Sequence, residues 1–448
     1  MTQKLFGTDG MRGVAGEEPL TMPTLKRLGL ALAQQLAQGD HVLLGHDGRE
    51  SGETIAAAMV EGLNAGGIHA DVVGLAPTPG IAFLTAQGPY TSGVVVSASH
   101  NPAKDNGIKL LSADGSKMPD AEETKLEEAL LSLEELPAAG GGECRRTKGM
   151  LGDYVAWLRN DAFPELDLTN WKVALDCANG ACSQVGPRVL KAFGAEVVAT
   201  HDRPDGMNIN QDCGALHPEV LAALVKQESC CFGLCLDGDG DRGIFVDAAG
   251  RILDGDAILA GLCSLMTKSG ELADSTVVAT VMSNLALENW VKDCGAKLHR
   301  TPVGDRHVAA ALRENNWNLG GEKSGHILFG SEHGFRGDGL YTLLRVLSSL
   351  QKLDIPPEEF AKGYTDMPQD LWNLPATKRV PLEELSRLSS EMSAVDSELE
   401  GRGRTVVRFS GTELKLRLMA EAENDELVQS VLERLHSAAE EDGILDKT

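Results

Sequence analysis

This sequence carries no apolar run long enough to cross a membrane, and its start, Met1-Thr2-Gln3-Lys4-Leu5-Phe6, lacks the basic-then-apolar layout of a secretory signal. The expected location is therefore the cytoplasm. Cysteine is sparse: nine, scattered and odd in number, with no Cys-x-x-Cys pair. The closest group, Cys230, Cys231 and Cys235, lacks metal-ligand spacing and reads as buried packing. Basic residues are outnumbered, 41 Lys and Arg against 66 Asp and Glu, for a formal charge of −25. That balance argues against nucleic acid or an anionic membrane as partner, since both are bound through excess cations. It leaves room for a small phosphorylated substrate if the cations that bind it are gathered locally. No Gly-x-Ser-x-Gly elbow occurs, which counts against an α/β-hydrolase.

What is present is a soluble globular composition, 42% apolar and 24% charged, over 448 residues, too many for one ordinary core. One arrangement recurs: an apolar strand, a small or polar turn, a helix-length segment, a glycine and a second strand. The first copy runs from Val42-Leu43-Leu44-Gly45 through Asp47-Gly48-Arg49 and Gly67 to Ala70-Asp71-Val72-Val73. The second runs from Val173-Ala174-Leu175-Asp176 through Ala178-Asn179-Gly180 and Gly194 to Glu196-Val197-Val198. The third runs from Val277-Val278-Ala279-Thr280-Val281 through Ser283-Asn284 and Gly295 to Lys297-Leu298. Such units predict mainly parallel sheet covered by helices on both faces, with glycine at each helix exit. Their wide spacing predicts three similar α/β domains. After connectors at 353–357 and 368–375 comes strand, tight loop, strand, then a helix marked by Leu427, Val428, Val431, Leu432 and Leu435. This reads as a smaller α+β domain. The expected boundaries are 1–152, 153–254, 255–367 and 368–448.

Four loops carry chemistry. An apolar strand ends in Ser97-Ala98-Ser99-His100-Asn101-Pro102, where a serine beside a histidine suits an activated nucleophile; taken alone it is an ordinary Ser/Asn turn. Lys109 lies a short loop further on. Next, Asp237-Gly238-Asp239-Gly240-Asp241-Arg242 follows a wholly apolar strand. Its carboxylates, at alternate positions of an extended backbone, would project to one side and repel unless a cation neutralised them. Oxygen-only ligands favour Mg²⁺ or a similar hard ion. An EF-hand is a poor match, with Arg242 and Ala248 at its sixth and twelfth positions. The third loop, Gly320-Gly321-Glu322-Lys323-Ser324-Gly325-His326, offers Glu322 and Ser324 to vicinal hydroxyls and His326 for proton transfer, although a histidine at a strand start is more often structural. The fourth, Arg408-Phe409-Ser410-Gly411-Thr412-Glu413-Leu414-Lys415-Leu416-Arg417, sets two arginines about hydroxyls and backbone N–H groups, a nest for a phosphate dianion.

These four segments in this order, with the opening Phe6-Gly7-Thr8-Asp9-Gly10-Met11-Arg12-Gly13, resemble the α-D-phosphohexomutase superfamily over nearly the whole chain. The opening, the Ser97-Ala98-Ser99 segment and Val303-Gly304-Asp305-Arg306 are similar to its glucosamine-phosphate branch. The resemblance implies that Ser99 carries a phosphoryl group as phosphoserine and that Asp237, Asp239 and Asp241 hold Mg²⁺, with the phosphate of Ser99 as a further ligand. It implies that Glu322 and Ser324 read sugar hydroxyls, and that Arg408, Ser410, Gly411, Thr412 and Arg417 grip the unreacting phosphate. Arg12, Lys109 and Arg242 would neutralise charge, and the base would be Lys109, assisted by His326, or His100. The implied reaction interconverts α-D-glucosamine 6-phosphate and 1-phosphate through a bound 1,6-bisphosphate, with glucosamine or glucose 1,6-bisphosphate as activator, feeding UDP-N-acetylglucosamine and cell-wall precursors. The expected partners are a phosphosugar and, at most, a second copy of the chain. The competing readings are a glucose or mannose phosphate mutase of the same superfamily, a metal-dependent phosphatase with Asp237 as nucleophile, and a non-catalytic sugar-phosphate sensor. Two positions depart from the family pattern: Phe409 and Leu414 stand where proline is usual, and Lys323 where an uncharged residue is common.

Overall fold

The structure, a computed structural model, describes residues 5–7, 10–134, 140–410 and 414–445. All three recurring units fold as read. The pairs His41–His46 with His69–Leu75, Lys172–Asp176 with Glu196–Thr200, and Thr276–Thr280 with Lys297–Thr301 are each parallel. Each is bridged by a helix: Gly52–Ala65, Cys182–Ala192 and Leu285–Asp293. The glycines that leave those helices, Gly67, Gly194 and Gly295, have φ of +83°, +88° and +77°, a left-handed conformation that a Cβ would strain.

Around these units the sheets are mixed. In the seven-stranded first sheet, the outer pairings of 6–7, 10–14 and 105–112 are antiparallel. In the five-stranded second sheet, Gly243–Asp247 returns antiparallel to Phe232–Leu236; in the four-stranded third, Ile327–Phe329 returns antiparallel to Leu319–Gly321. A short loop allows no other return, because a parallel crossover needs a dozen or more residues.

A three-stranded antiparallel sheet forms the C-terminal unit, in the order Gln369–Pro375, Lys415–Ala422, Gly403–Phe409. The sequence predicts a connector at 368–375, and the structure makes it a strand. Its prolines lie at or beyond the ends of the strand, and the edge position spares the residues between them from a second ladder. The helix Asp425–Glu441, capped by Asn424, buries Val428, Val431, Leu432 and Leu435 against this sheet.

One apolar core runs through the first three units, joining Phe83, Leu175, Phe193 and Leu344; the first unit has a second, around Leu28, Leu44 and Met59, and the C-terminal unit has its own, around Leu388, Leu418 and Leu432. Polar contacts link the two bodies. Glu421 accepts from Leu285 N at 3.0 Å, and Arg404 donates to Val281 O at 3.0 Å. Among the described residues no helix is long and apolar enough to cross a membrane. The nine cysteines are free, with Cys230 and Cys235 buried and Cys231 half-buried.

Candidate active site

Ser99 sits between the strands Tyr90–Val96 and Asp105–Ser112, 1% exposed, with φ of +54°. A non-glycine residue keeps that backbone only where its surroundings hold it. Here the hold is dense. Ser97 Oγ accepts from Ser99 N at 2.8 Å and donates to Asp47 at 2.7 Å. Asp47 also receives the Arg49 Nε at 2.9 Å, and the Arg49 fork reaches the carbonyls of Ser99, Asn101, Pro102 and Asp105. From the second unit, Asn210 donates to Ser99 O at 2.9 Å and Asn101 O at 3.0 Å. The strained backbone aims Ser99 Oγ at Asp237, 2.6 Å away, with His100 Nδ1 at 3.3 Å. Burial, then the Arg242 and Arg12 cations, lower the His100 pKa to about 4, so its ring is neutral at neutral pH.

The aspartate loop is not extended, as alternation suggests, but a tight turn closed by Gly240 N on Asp237 O at 3.1 Å, with Gly240 at φ +75°. The three carboxylates converge because the backbone curls around them. One oxygen from each lies within 4.8 Å of the others, and all three side chains are buried. Burial, then repulsion from Asp241 and Asp239, push the Asp237 carboxyl well above its usual range. Lys109 Nζ donates to Asp239 at 2.7 Å and Asp241 at 2.9 Å, and Thr78 Oγ1 also donates to Asp239. Asp239 Oδ1 is buried without a hydrogen-bond partner, the condition a cation would relieve. Oxygen donors, convergence and an unsatisfied carboxylate oxygen together fit a divalent metal.

A second group with similar spacing, Asp176, His201 and Cys213, differs in kind. The oxygens of Asp176 are spent on Ala178 N at 2.8 Å, Gly214 N at 3.0 Å and His201 at 3.0 Å, so it clasps loops.

The sugar-loop candidates lie beside the aspartate turn: Gly243 N donates to Gly325 O at 3.0 Å. Glu322 Oε1 accepts from Gly304 N at 3.0 Å, Ser324 is exposed, and buried His326 shares a cavity of about 270 Å³ with Lys109 and Asp241. In the C-terminal hairpin Arg408 and Arg417 are direct cross-strand partners. Burial, then Arg417, lower the Arg408 pKa, a repulsion that a bound anion would offset. Ser410 is buried and its carbonyl accepts from Arg379. Gly411 and Thr412 lie outside the described residues, as do Thr8 and Asp9 of the opening motif.

Comparison with known proteins follows the same four-part division. Residues 3–136, 153–250 and 254–367 match the phosphoglucomutase/phosphomannomutase α/β/α domains I, II and III, and 371–438 match the C-terminal domain of that family. The chain is 42% identical to a phosphoglucosamine mutase from Desulfovibrio desulfuricans, covering 98% of this chain and 99% of that one. It is 43% identical to one from Nitratidesulfovibrio vulgaris, covering 96% and 97%. The chain belongs to the phosphohexomutase superfamily. Its fold superimposes on a phosphoglucomutase/phosphomannomutase family protein from Burkholderia thailandensis with a TM-score of 0.82, at 25% identity over 99% of this chain and 98% of that one. It also matches Aspergillus fumigatus N-acetylphosphoglucosamine mutase, solved with GlcNAc-6P and magnesium, with a TM-score of 0.67 at 19% identity over 98% and 96%. As a phosphohexomutase it is an isomerase that moves a phosphoryl group.

Several residues that shape this phosphohexomutase's site have no chemical signature in sequence. Asp47 and Arg49 read as a turn, and Asn210 and Thr78 as ordinary polar residues. Their partners are 50 to 161 positions away. Arg379, too, lies 31 positions from the Ser410 carbonyl that it meets.

Proposed function

We propose that this phosphohexomutase interconverts α-D-glucosamine 6-phosphate and α-D-glucosamine 1-phosphate through phospho-Ser99 and a bound 1,6-bisphosphate. The observation that carries it is Ser99 Oγ, on a left-handed and buried residue, 2.6 Å from one member of a buried aspartate triad. Full-length identity above 40% to phosphoglucosamine mutases supports the choice of sugar.

Asp237, Asp239 and Asp241, with an oxygen of the Ser99 phosphate, would hold Mg²⁺, which when bound supplies charge neutralisation and polarisation of the phosphoryl oxygens. The protein's own groups do the rest. Phospho-Ser99 gives its phosphoryl group to the free substrate hydroxyl: the Ser99 Oγ–P bond breaks as the sugar O–P bond forms. The bisphosphate turns over, and Ser99 Oγ takes back the other phosphoryl group. Phosphoryl transfer depends mostly on positioning and charge, so Arg12, Lys109 and Arg242 act as cations around the transferring group. Lys109 donates hydrogen bonds to Asp239 and Asp241. The hydroxyl proton goes to Lys109, assisted by His326, or to His100, whose neutral ring lies 3.3 Å from Ser99 Oγ. Glu322 and Ser324 read the sugar, and Arg408, Ser410 and Arg417, with Gly411 and Thr412, hold the distal phosphate. A closed cleft keeps water from phospho-Ser99.

Intact-mass measurement and peptide mapping should find one phosphate, at Ser99, and Ser99→Ala should lose that phosphate and nearly all mutase activity. Full activity in the variant would overturn the mechanism. Measuring kcat/KM for the 6-phosphates of glucosamine, glucose and mannose, with bisphosphate activator, decides the sugar. A preference for glucose or mannose moves the enzyme to the sister branch, and stoichiometric phosphate release makes it a phosphatase.

A further inference from the structure

Lys323 lies between Glu322 and Ser324 in the sugar-recognition loop, and its ammonium points into a group of carboxylates. It pairs with Asp254 at 2.7 Å, Asp256 at 3.5 Å, and Asp366. Burial opposes the lysine's charge, but the carboxylates of Asp254 and Asp256 outweigh it and hold its pKa above the ordinary value. The first two partners belong to the start of the helix Gly255–Ser269, where Asp254 caps Ala257 N at 3.0 Å. The sugar loop rests directly on that helix start: a Cβ on Gly255 would lie 1.9 Å from Glu322 O.

The third partner is elsewhere in the design. Asp366 belongs to the connector between the third unit and the C-terminal unit. Three residues later begins the strand Gln369–Pro375, whose Asn373 faces Arg417 across the sheet. Tyr364 donates to Asp366 at 2.9 Å, and Asn284 holds both Met367 N and Met367 O at 3.0 Å. Lys323 thus spans from the loop that carries the sugar-reading side chains to the chain segment on which the phosphate-gripping unit is hung. A lysine so engaged has its charge met within the protein, which gives its departure from the family pattern a structural meaning.

Resting on the phosphosugar reading above, we infer that Lys323 is a positioning residue that latches the sugar-recognition loop to the 364–369 connector and so couples the setting of Glu322 and Ser324 to that of the C-terminal unit. When the latch is made, the two ends of a phosphosugar meet groups already in register. When it is broken, each half still binds its own end, but the cleft closes less often.

Asp366→Asn tests this without disturbing the buried pair beneath it, because Lys323 keeps Asp254 and Asp256 while the new side-chain amide can still accept from Tyr364. It should raise KM for the sugar phosphate about tenfold with a smaller change in kcat, a coupling of ordinary size. It should also raise the phosphate lost to water per mutase turnover. Lys323→Met should do the same, Lys323→Arg should restore most of both, and the double variant should be no worse than the poorer single one. Unchanged KM and phosphate loss in Asp366→Asn, or additive effects in the double variant, would overturn the latch. Amide hydrogen exchange of the substrate-free protein separates this from the functional reading. The Met367 amide should exchange faster in Asp366→Asn than in wild type whatever the sugar, and equal protection would also sink the proposal.

Discussion

Residues in this protein are most informative where burial and charge conflict. Arg49 and Asp47 form an ion pair with both side chains fully buried, yet burial still holds the Asp47 pKa above its usual value despite the guanidinium. Such a pair is weak evidence for stability, and its geometric consequence is the fixing of four carbonyls around Ser99. Asp256 shows a similar conflict with a measurable result. Burial, opposed by Lys323, raises its pKa from 3.8 to about 6. A carboxyl raised in the folded state favours folding fully below its unfolded value, and that contribution is lost as pH rises through about 6. The thermal midpoint of wild type should therefore fall more between pH 4 and pH 7 than that of Asp256→Asn, by an amount of order 1–3 kcal/mol in stability. Parallel pH profiles for the two proteins would contradict this.

Each of the four chemical loops links two antiparallel strands: 97–104, 237–242, 322–326 and 410–414. In the first three, one strand of the hairpin also pairs in parallel within its α/β unit, so the loop is rooted in a covered sheet. The sequence displays each loop as a strand end followed by polar residues, which is enough to find them. It does not display which parallel neighbour each hairpin joins, because apolar runs look alike wherever they pair. Loop-to-loop contact is equally hidden. A Cβ on Gly238 would lie 2.6 Å from Ser99 O, so the aspartate turn and the serine loop touch backbone to backbone. Gly238→Ala should push the serine loop off its aim at Asp237, a cost of about 1–3 kcal/mol, and lower kcat while leaving all three aspartates in place. Wild-type kcat in a folded Gly238→Ala protein would show that this contact does not set the aim.

Over the whole molecule, two bodies with separate cores meet through a polar seam. Glu421, fully buried, ties Leu285 N and Arg404 together there, and Arg404 reaches the carbonyls of Val281 and Ser283. Glu421→Ala leaves Arg404 without its carboxylate, a loss of about 3 kcal/mol for a buried pair broken on one side. Because each core is intact, calorimetry should show the C-terminal unit melting separately and earlier. One unchanged transition would mean the seam does not hold the bodies together. The sequence by itself determined the four-part order, the three βαβ units with their left-handed glycines, and the residue types of each loop. Those follow from local periodicity, from backbone sterics and from carboxylates that cannot sit together without a cation. Tertiary structure alone decided that 369–375 is a strand, that Asp47, Arg49, Asn210 and Thr78 build the site, and that Lys323 faces carboxylates. Each of these depends on which distant segments share a sheet or a turn, and a chain read in order does not carry that distance.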